Sequence, residues 1–130
     1  MKYRVNAPLD VADLREIFEA SGLRRPVNDK RRLTKMRDHA NLTVTAWDGK
    51  RIVGIARALT DFSFCCYLSD LGVAKDYQKK GIGRAMVERI RKHLGDEVMI
   101  LLLSAETTMQ YYPKIGFEKV ENAWKIPRAR

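Results

Sequence analysis

The chain has little of what disulfide, metal and membrane chemistry need. It holds two cysteines and two histidines in 130 residues. The cysteines, Cys65 and Cys66, are neighbours, and neighbours on an extended strand point to opposite faces and do not pair with each other. With only His39 and His93 besides, no zinc-ligand spacing exists, and no local motif sets a histidine beside a cysteine nucleophile. The longest apolar run, Val98-Met99-Ile100-Leu101-Leu102-Leu103, falls far short of the ~20 residues of a membrane span. The start, Met1-Lys2-Tyr3-Arg4-Val5-Asn6, lacks the apolar stretch of a secretory signal. The expectation is a cytoplasmic protein with no resident metal and no membrane partner. Aromatic residues make up 8% of the chain and are not interleaved with the basic ones, which argues against a nucleic-acid-binding module that stacks bases.

What is present is basic charge and one domain's worth of apolar residues. The net charge is +9 and the hydrophobic fraction 45%. A chain of 130 residues makes one domain and buries roughly two-thirds of its unfolded surface. The charge favours anionic partners, a polyphosphorylated cofactor among them, without choosing between them. The stretch from Gly22 to His39 carries Arg24, Arg25, Lys30, Arg31, Arg32, Lys35 and Arg37 against Asp29 and Asp38; its simplest reading is a solvated helix face.

No repeat, low-complexity segment or linker divides the chain. Tyr3-Arg4-Val5 reads as a short strand. Asp10 is a plausible N-cap ahead of Val11, Leu14, Ile17 and Phe18 at helical spacing, and Gly22 ends that helix. A second helix starts near Asn28 or Asp29 with Leu33 and Met36 inward. Leu42 to Trp47 then alternates as a strand. Asp48-Gly49 signals a two-residue type I′ hairpin, with Arg51 to Thr60 as the returning strand. After a turn at Asp61-Phe62-Ser63, Cys65 to Val73 completes a meander. A helix follows to about Leu94, with Met86, Val87, Ile90 and Leu94 on its apolar face and Gly95 closing it. The run from Val98 to Leu103 is apolar on both faces, as in a buried parallel strand, and completes a right-handed βαβ unit. Ala105 to about Tyr112 reads as a short helix that Pro113 keeps from continuing in regular geometry. Phe117 to Val120 and Ala123 to Ile126 read as a closing hairpin around Glu121-Asn122. The expected class is mixed α/β, a single domain over residues 1–130, with helices on both faces of the sheet.

The segment Gln78-Lys79-Lys80-Gly81-Ile82-Gly83-Arg84 lies between a strand and a helix. Its glycines allow positive φ and close approach of a ligand to the backbone. The N–H groups that open the helix lack helical partners and carry partial positive charge, so the loop is suited to a phosphate or pyrophosphate. A Walker loop is absent, and the third glycine of a dinucleotide fingerprint is replaced by Met86. Taken alone, a tight turn before a surface helix explains the segment equally well.

Two signatures at the right separation narrow the choice. Leu71-Gly72-Val73 followed by Gln78-Lys79-Lys80-Gly81-Ile82-Gly83 resembles the acetyl-CoA motif of the GNAT superfamily of N-acetyltransferases, Gln/Arg-x-x-Gly-x-Gly/Ala after a strand ending in Leu-x-Val. Tyr112-Pro113-Lys114-Ile115-Gly116-Phe117 resembles that family's second signature, Tyr-x-Lys/Arg-x-Gly-Phe. The resemblance covers Leu42 to Ile126. It implies the acyl-CoA N-acyltransferase fold, a mostly antiparallel sheet splayed at a central parallel strand pair, commonly beside a β-bulge. It implies acetyl-CoA as acyl donor, with the pantetheine arm pairing to the backbone of Leu71, Gly72 and Val73. The pyrophosphate would rest on N–H groups from Gln78 through Lys79, Lys80, Gly81, Ile82 and Gly83 to Arg84. Ile55-Ala56-Arg57-Ala58-Leu59-Thr60-Asp61 together with Asp70 is similar to the plastid-type and bacterial branch that acts on arylalkylamines or protein lysines. In one respect the chain departs from the family: the asparagine that many members carry seven residues before the signature tyrosine is Ala105 here, so that contact is lost or passes to Glu106 or Thr107.

The implied reaction is direct attack of a neutral primary amine on the thioester in a ternary complex. Asp70 is the expected base, with Glu106 behind it, and Tyr112 the expected proton donor to the departing sulfur; Tyr111 reads as a packing residue. The acceptor is expected between the Gly22 to Asp29 loop and the Asp61 to Phe64 turn, where Trp47, Phe62 and Phe64 are stacking candidates. The basic loop favours a protein lysine or a simple amine over a polyamine. The alternative is an acetyl-CoA-binding sensor or scaffold without turnover. A homodimer is left open.

Overall fold

The computed structural model describes residues 1–104 and 111–130. Its elements run β1 (Lys2–Val5), α1 (Val11–Ser21), α2 (Lys30–His39), β2 (Leu42–Asp48), β3 (Arg51–Thr60), β4 (Cys65–Val73), α3 (Ile82–Leu94) and β5 (Met99–Leu101), with 3₁₀ turns at Lys75–Tyr77 and Tyr112–Ile115. The strands form one sheet in the order β1-β2-β3-β4-β5, antiparallel except for the β4–β5 pair. The mixed α/β class holds, and so do the first three expected helices; the fourth, at 105–112, lies largely outside the described residues.

The helices cover both faces, and two glycines show which element lies where. A Cβ on Gly54 would meet the Met86 thioether of α3 at 3.0 Å, whereas one on Gly72 would meet Leu23 and Ser21 at the end of α1. Leu14, Ile17, Phe18 and Leu33 are fully buried on the α1/α2 face; Met86 and Ile90 are buried on the α3 face. The spacing of those residues is what made the helices amphipathic. Asp10 caps α1 through its backbone, accepting from the Leu14 N–H, and makes no side-chain cap bond. Asp29 caps α2 through its carboxylate, which accepts from the Arg32 N–H.

The β2–β3 connection is a two-residue turn at Gly49-Lys50, one residue later than expected, since Asp48 pairs with Arg51. Only Gly49 has positive φ, at 59°, the pattern of a type II′ turn, which asks for glycine at its first centre. Along β4 the pairing to β3 jumps from Arg57↔Asp70 to Ala58↔Leu68, so Ser69 is the extra residue of a β-bulge.

Two expectations fail at the C-terminal side. The apolar run at 98–103 is not buried throughout: β5 spans three residues at the edge of the sheet, and Met99 and Leu103 are exposed. The closing hairpin is not formed: residues 117–130 contain no strand, and Trp124 and Ile126 are almost wholly exposed. The two segments make no pairing with the sheet, and an isolated two-stranded hairpin is marginal in water.

Candidate active site

Strand β4 pairs with β3 over its whole functional stretch, Gly54↔Val73 through Arg57↔Asp70. Strand β5 reaches only Cys65, Cys66 and Tyr67. Beyond Tyr67, residues 68–73 therefore have no strand partner on that edge among the described residues. Backbone groups there that make no ladder bond can take an extended ligand, although the Ser69 and Val73 carbonyls already accept from Arg25 and Gln78. The bulge at Ser69 stands just past the last β4–β5 pair, as a device that bends a strand away from its neighbour should. Leu71, Gly72 and Val73, singled out from the sequence, lie on this open edge.

At its end β4 passes through the 3₁₀ turn into the glycine loop. The Gln78 side chain donates to the Val73 carbonyl at 3.1 Å and ties loop to strand. Lys79 and Gly81 take positive φ, 65° and 82°. Gly81 is the N-cap of α3, its carbonyl accepting from the Ala85 N–H at 3.0 Å. The first N–H groups of α3 face away from the helix body, as at every helix start. Lys79, Lys80 and Arg84 surround them in exposed positions, while Ile82 and Gly83 are buried. The loop thus joins a helix start, glycine at the cap and three cations, the elements of an anion site. Among the described residues no group of three or more metal-ligating side chains occurs.

The second signature lies against this loop. The Tyr111 hydroxyl covers Gly83 so closely that a Cβ there would come within 2.1 Å of it. Arg84 donates to the Lys114 carbonyl and fastens the start of α3 to the 3₁₀ turn. The Tyr112 ring packs edge-on between Tyr111, at 5.3 Å, and Phe117, at 5.7 Å. Burial pushes the Tyr111 phenol above its ordinary pKa, with the neighbouring Tyr112 adding to the rise. Both tyrosines thus stand near the anion loop, although the sequence separated them from it by a helix and a strand. Ala105, Glu106 and Thr107 lie outside the described residues.

Asp70 occupies a different environment from the one expected of a base. It is fully buried; one carboxylate oxygen accepts from Arg25 Nε at 2.5 Å and the other from Arg57 Nε. A carboxylate removed from water and engaged by two guanidinium groups is not placed to receive a proton from an amine. From the sequence, an aspartate bonded to backbone or arginine was the alternative to the base, but nothing local named Arg25 and Arg57 as the partners.

Of the aromatic candidates, Trp47 is buried, its indole N–H donating to Thr45 Oγ1 at 2.8 Å, so it is not available to stack an acceptor. Phe62 and Phe64 are exposed on the β3–β4 turn. Tyr77, which the sequence did not single out, holds its ring between Arg51 and Lys80, each 5.2 Å from the centroid, and donates to the Asp48 carboxylate. It thereby anchors the loop's lysine side. A cleft of about 460 Å³ lies elsewhere, between the segment around Pro8 and the end of α2; no glycine-loop residue lines it.

Residues 19–125 match the model of the acetyltransferase (GNAT) domain. A soybean (Glycine max) histone acetyltransferase is 34% identical over 71 residues, 53% of this chain and 31% of its own length. A chloroplastic GCN5-related N-acetyltransferase of Arabidopsis thaliana is 34% identical over the same length of alignment, covering 28% of that protein. The matched segment thus spans less than a third of these curated relatives. In fold, the chain is similar to a Staphylococcus aureus protein of unknown function, with a TM-score of 0.80 at 22% identity, covering 98% of this chain and 100% of that one. It is likewise similar to a Streptococcus pneumoniae GNAT acetyltransferase, with a TM-score of 0.79 at 21% identity and 98% of each chain covered.

Proposed function

The chain belongs to the GNAT acetyltransferases, and on that premise we propose that it transfers the acetyl group of acetyl-CoA to a primary amine, either a small amine or a protein lysine. The observation that carries the reading is the continuous backbone path from the unpaired edge of β4 at 68–73 into the positive-φ loop and the start of α3. An extended pantetheine arm can bond to the first part, and a diphosphate to the second.

In the proposed step the neutral amine nitrogen forms a bond to the thioester carbon and the carbon–sulfur bond breaks. The nitrogen gives up its proton, the CoA sulfur takes one from the Tyr112 hydroxyl, and water returns a proton to the Tyr112 phenolate before the next turnover. A thiol with pKa about 8.5 is a fair leaving group, so Tyr112 contributes at the lower end of the ~10²–10⁴ that general acids supply. Positioning of amine and thioester in one cleft supplies more. With both Asp70 oxygens engaged, the amine proton passes to water. An alkyl amine with pKa near ~10.4 is then mostly unreactive at neutral pH, and the rate follows its neutral fraction.

The test is thiol release from acetyl-CoA with phenylethylamine, Nα-acetyl-lysine amide and lysine-containing peptides. Tyr112→Phe is expected to lower kcat roughly a hundredfold with little change in the KM for acetyl-CoA. The kcat/KM for the amine should climb with pH toward the amine's own pKa. Acetyl-CoA binding without product across the panel would point instead to a sensor; no binding at all would end the reading.

A further inference from the structure

Asp70 and Ser69 are shared between two arginines in a matched way. Arg25, on the 22–29 loop between α1 and α2, donates Nε to one Asp70 oxygen and Nη2 to the Ser69 carbonyl at 3.0 Å. Arg57, on β3, donates Nε to the other Asp70 oxygen and Nη2 to the Ser69 hydroxyl at 3.1 Å. Each guanidinium then spends its remaining group on a further carbonyl, Arg25 on Arg24 at 2.8 Å and Arg57 on Met36 of α2 at 3.1 Å. Ser69 is the bulge residue, whose peptide groups the β3–β4 ladder leaves out. From outside the ladder, Arg25 satisfies the Ser69 carbonyl, and Arg57 holds the Ser69 hydroxyl. The Asp70 side chain is wholly buried, that of Arg57 is 9% exposed and that of Arg25 is 26% exposed.

We infer that Arg25, Asp70 and Arg57 form a brace with two separable halves, and that all three are positioning residues. The Arg57 half fixes the Ser69 and Asp70 side chains against β3 and α2, and with them the register jump in β4 beside which the edge at 68–73 opens. The Arg25 half holds the 22–29 loop down on β4, where Ser21 and Leu23 already lie within contact of Gly72. One carboxylate oxygen serves each half. Resting on the transfer reading above, the Arg57 half governs the donor side and the Arg25 half the acceptor side. A base, by contrast, would need Asp70 free of both.

The test compares Arg25→Gln, Arg57→Gln and Asp70→Asn in the full chain. Amide hydrogen exchange, calorimetric binding of acetyl-CoA and amine kinetics are measured on each. Arg25→Gln keeps the Asp70–Arg57 pair. It is expected to speed exchange across 22–29 and raise the KM for the amine about tenfold, an effect of misplacement, while the Kd for acetyl-CoA stays within about twofold. Arg57→Gln is expected to weaken acetyl-CoA binding about tenfold or more by the same effect. Asp70→Asn is expected to combine both losses yet keep the wild-type shape of the pH–rate profile. If it does not fold, the two arginine variants decide the matter. Unchanged exchange in 22–29 for Arg25→Gln, equal loss of acetyl-CoA affinity from both arginine variants, or an Asp70→Asn profile missing an ionisation would each overturn the brace. Should no amine be acetylated at all, the transfer reading fails by itself, and exchange with acetyl-CoA calorimetry still decides whether the brace has two halves.

Discussion

Gly72 has no room for a methyl group. A Cβ there would come 2.7 Å from Leu23 Cδ1 and 2.9 Å from Ser21 Oγ, and both belong to the end of α1 and the loop after it rather than to a freely moving surface chain. Gly72→Ala is expected to cost about 1–3 kcal/mol, the usual penalty of overpacking, read as a lower urea midpoint at unchanged slope; an unchanged midpoint would show the α1 end to be more yielding than its contacts suggest. The sequence marked Gly72 only as part of a resemblance, because the residues that crowd it come from another element. The same limit applied to Asp70. That a carboxylate sat in an apolar strand was plain, but its partners lie 45 and 13 residues away, and pairing over such distances has no local periodicity to reveal it. The positive-φ loop and the turn that carries Tyr112 were legible as local structure because each lies in a short contiguous segment, Gln78 to Gly83 and Tyr112 to Phe117.

At the scale of elements, the turn between β3 and β4 is organised by one side chain. The Asp61 carboxylate accepts from the N–H groups of Ser63, Phe64 and Cys65 at 2.9, 2.8 and 3.1 Å. These bonds, that to Phe64 foremost, lower its pKa from 3.8 to about 2. A folded-state pKa below the unfolded one means that the turn's share of stability is complete above about pH 4 and is lost as pH falls toward about 2. The expected outcome is loosening of this turn, seen as shifts in the amide resonances of Ser63, Phe64 and Cys65 between those limits and absent in Asp61→Asn; amides that titrate nearer the ordinary aspartate value would contradict it. The helices and the first four strands were readable from apolar spacing and turn residues, since each of them carries its own inward face. Strand β5 was only half readable: its apolar run says that it prefers burial, not that it pairs with β4 over just three residues. The hairpin expected at 117–126 had turn residues and apolar side chains, but none of it pairs with the sheet, and Trp124 and Ile126 stay exposed; a local pattern does not say whether a hairpin has a sheet to join.

The molecule as a whole is basic, with a net charge of +9, and part of that charge is gathered where the proposed donor binds. Lys79, Lys80 and Arg84 are exposed around the start of α3, and none of them forms a salt bridge among the described residues. In the proposed complex the backbone amides of the loop would fix the diphosphate at short range, where salt screens little, whereas these cations would attract it through water, where the Debye length is about 10 Å at 0.1 M ionic strength. The two contributions can therefore be separated. Raising sodium chloride from about 0.01 M to about 0.5 M shortens the screening length from roughly 30 Å to a few ångströms and is expected to raise the KM for acetyl-CoA several-fold while leaving kcat nearly constant. Lys79→Gln with Lys80→Gln should flatten that salt dependence and start from the higher KM, because the long-range attraction has been removed in advance. An acetyl-CoA KM indifferent to salt in the parent chain would mean that the amides alone hold the donor, and a salt dependence that survives the double substitution would place the steering charge elsewhere on the basic surface.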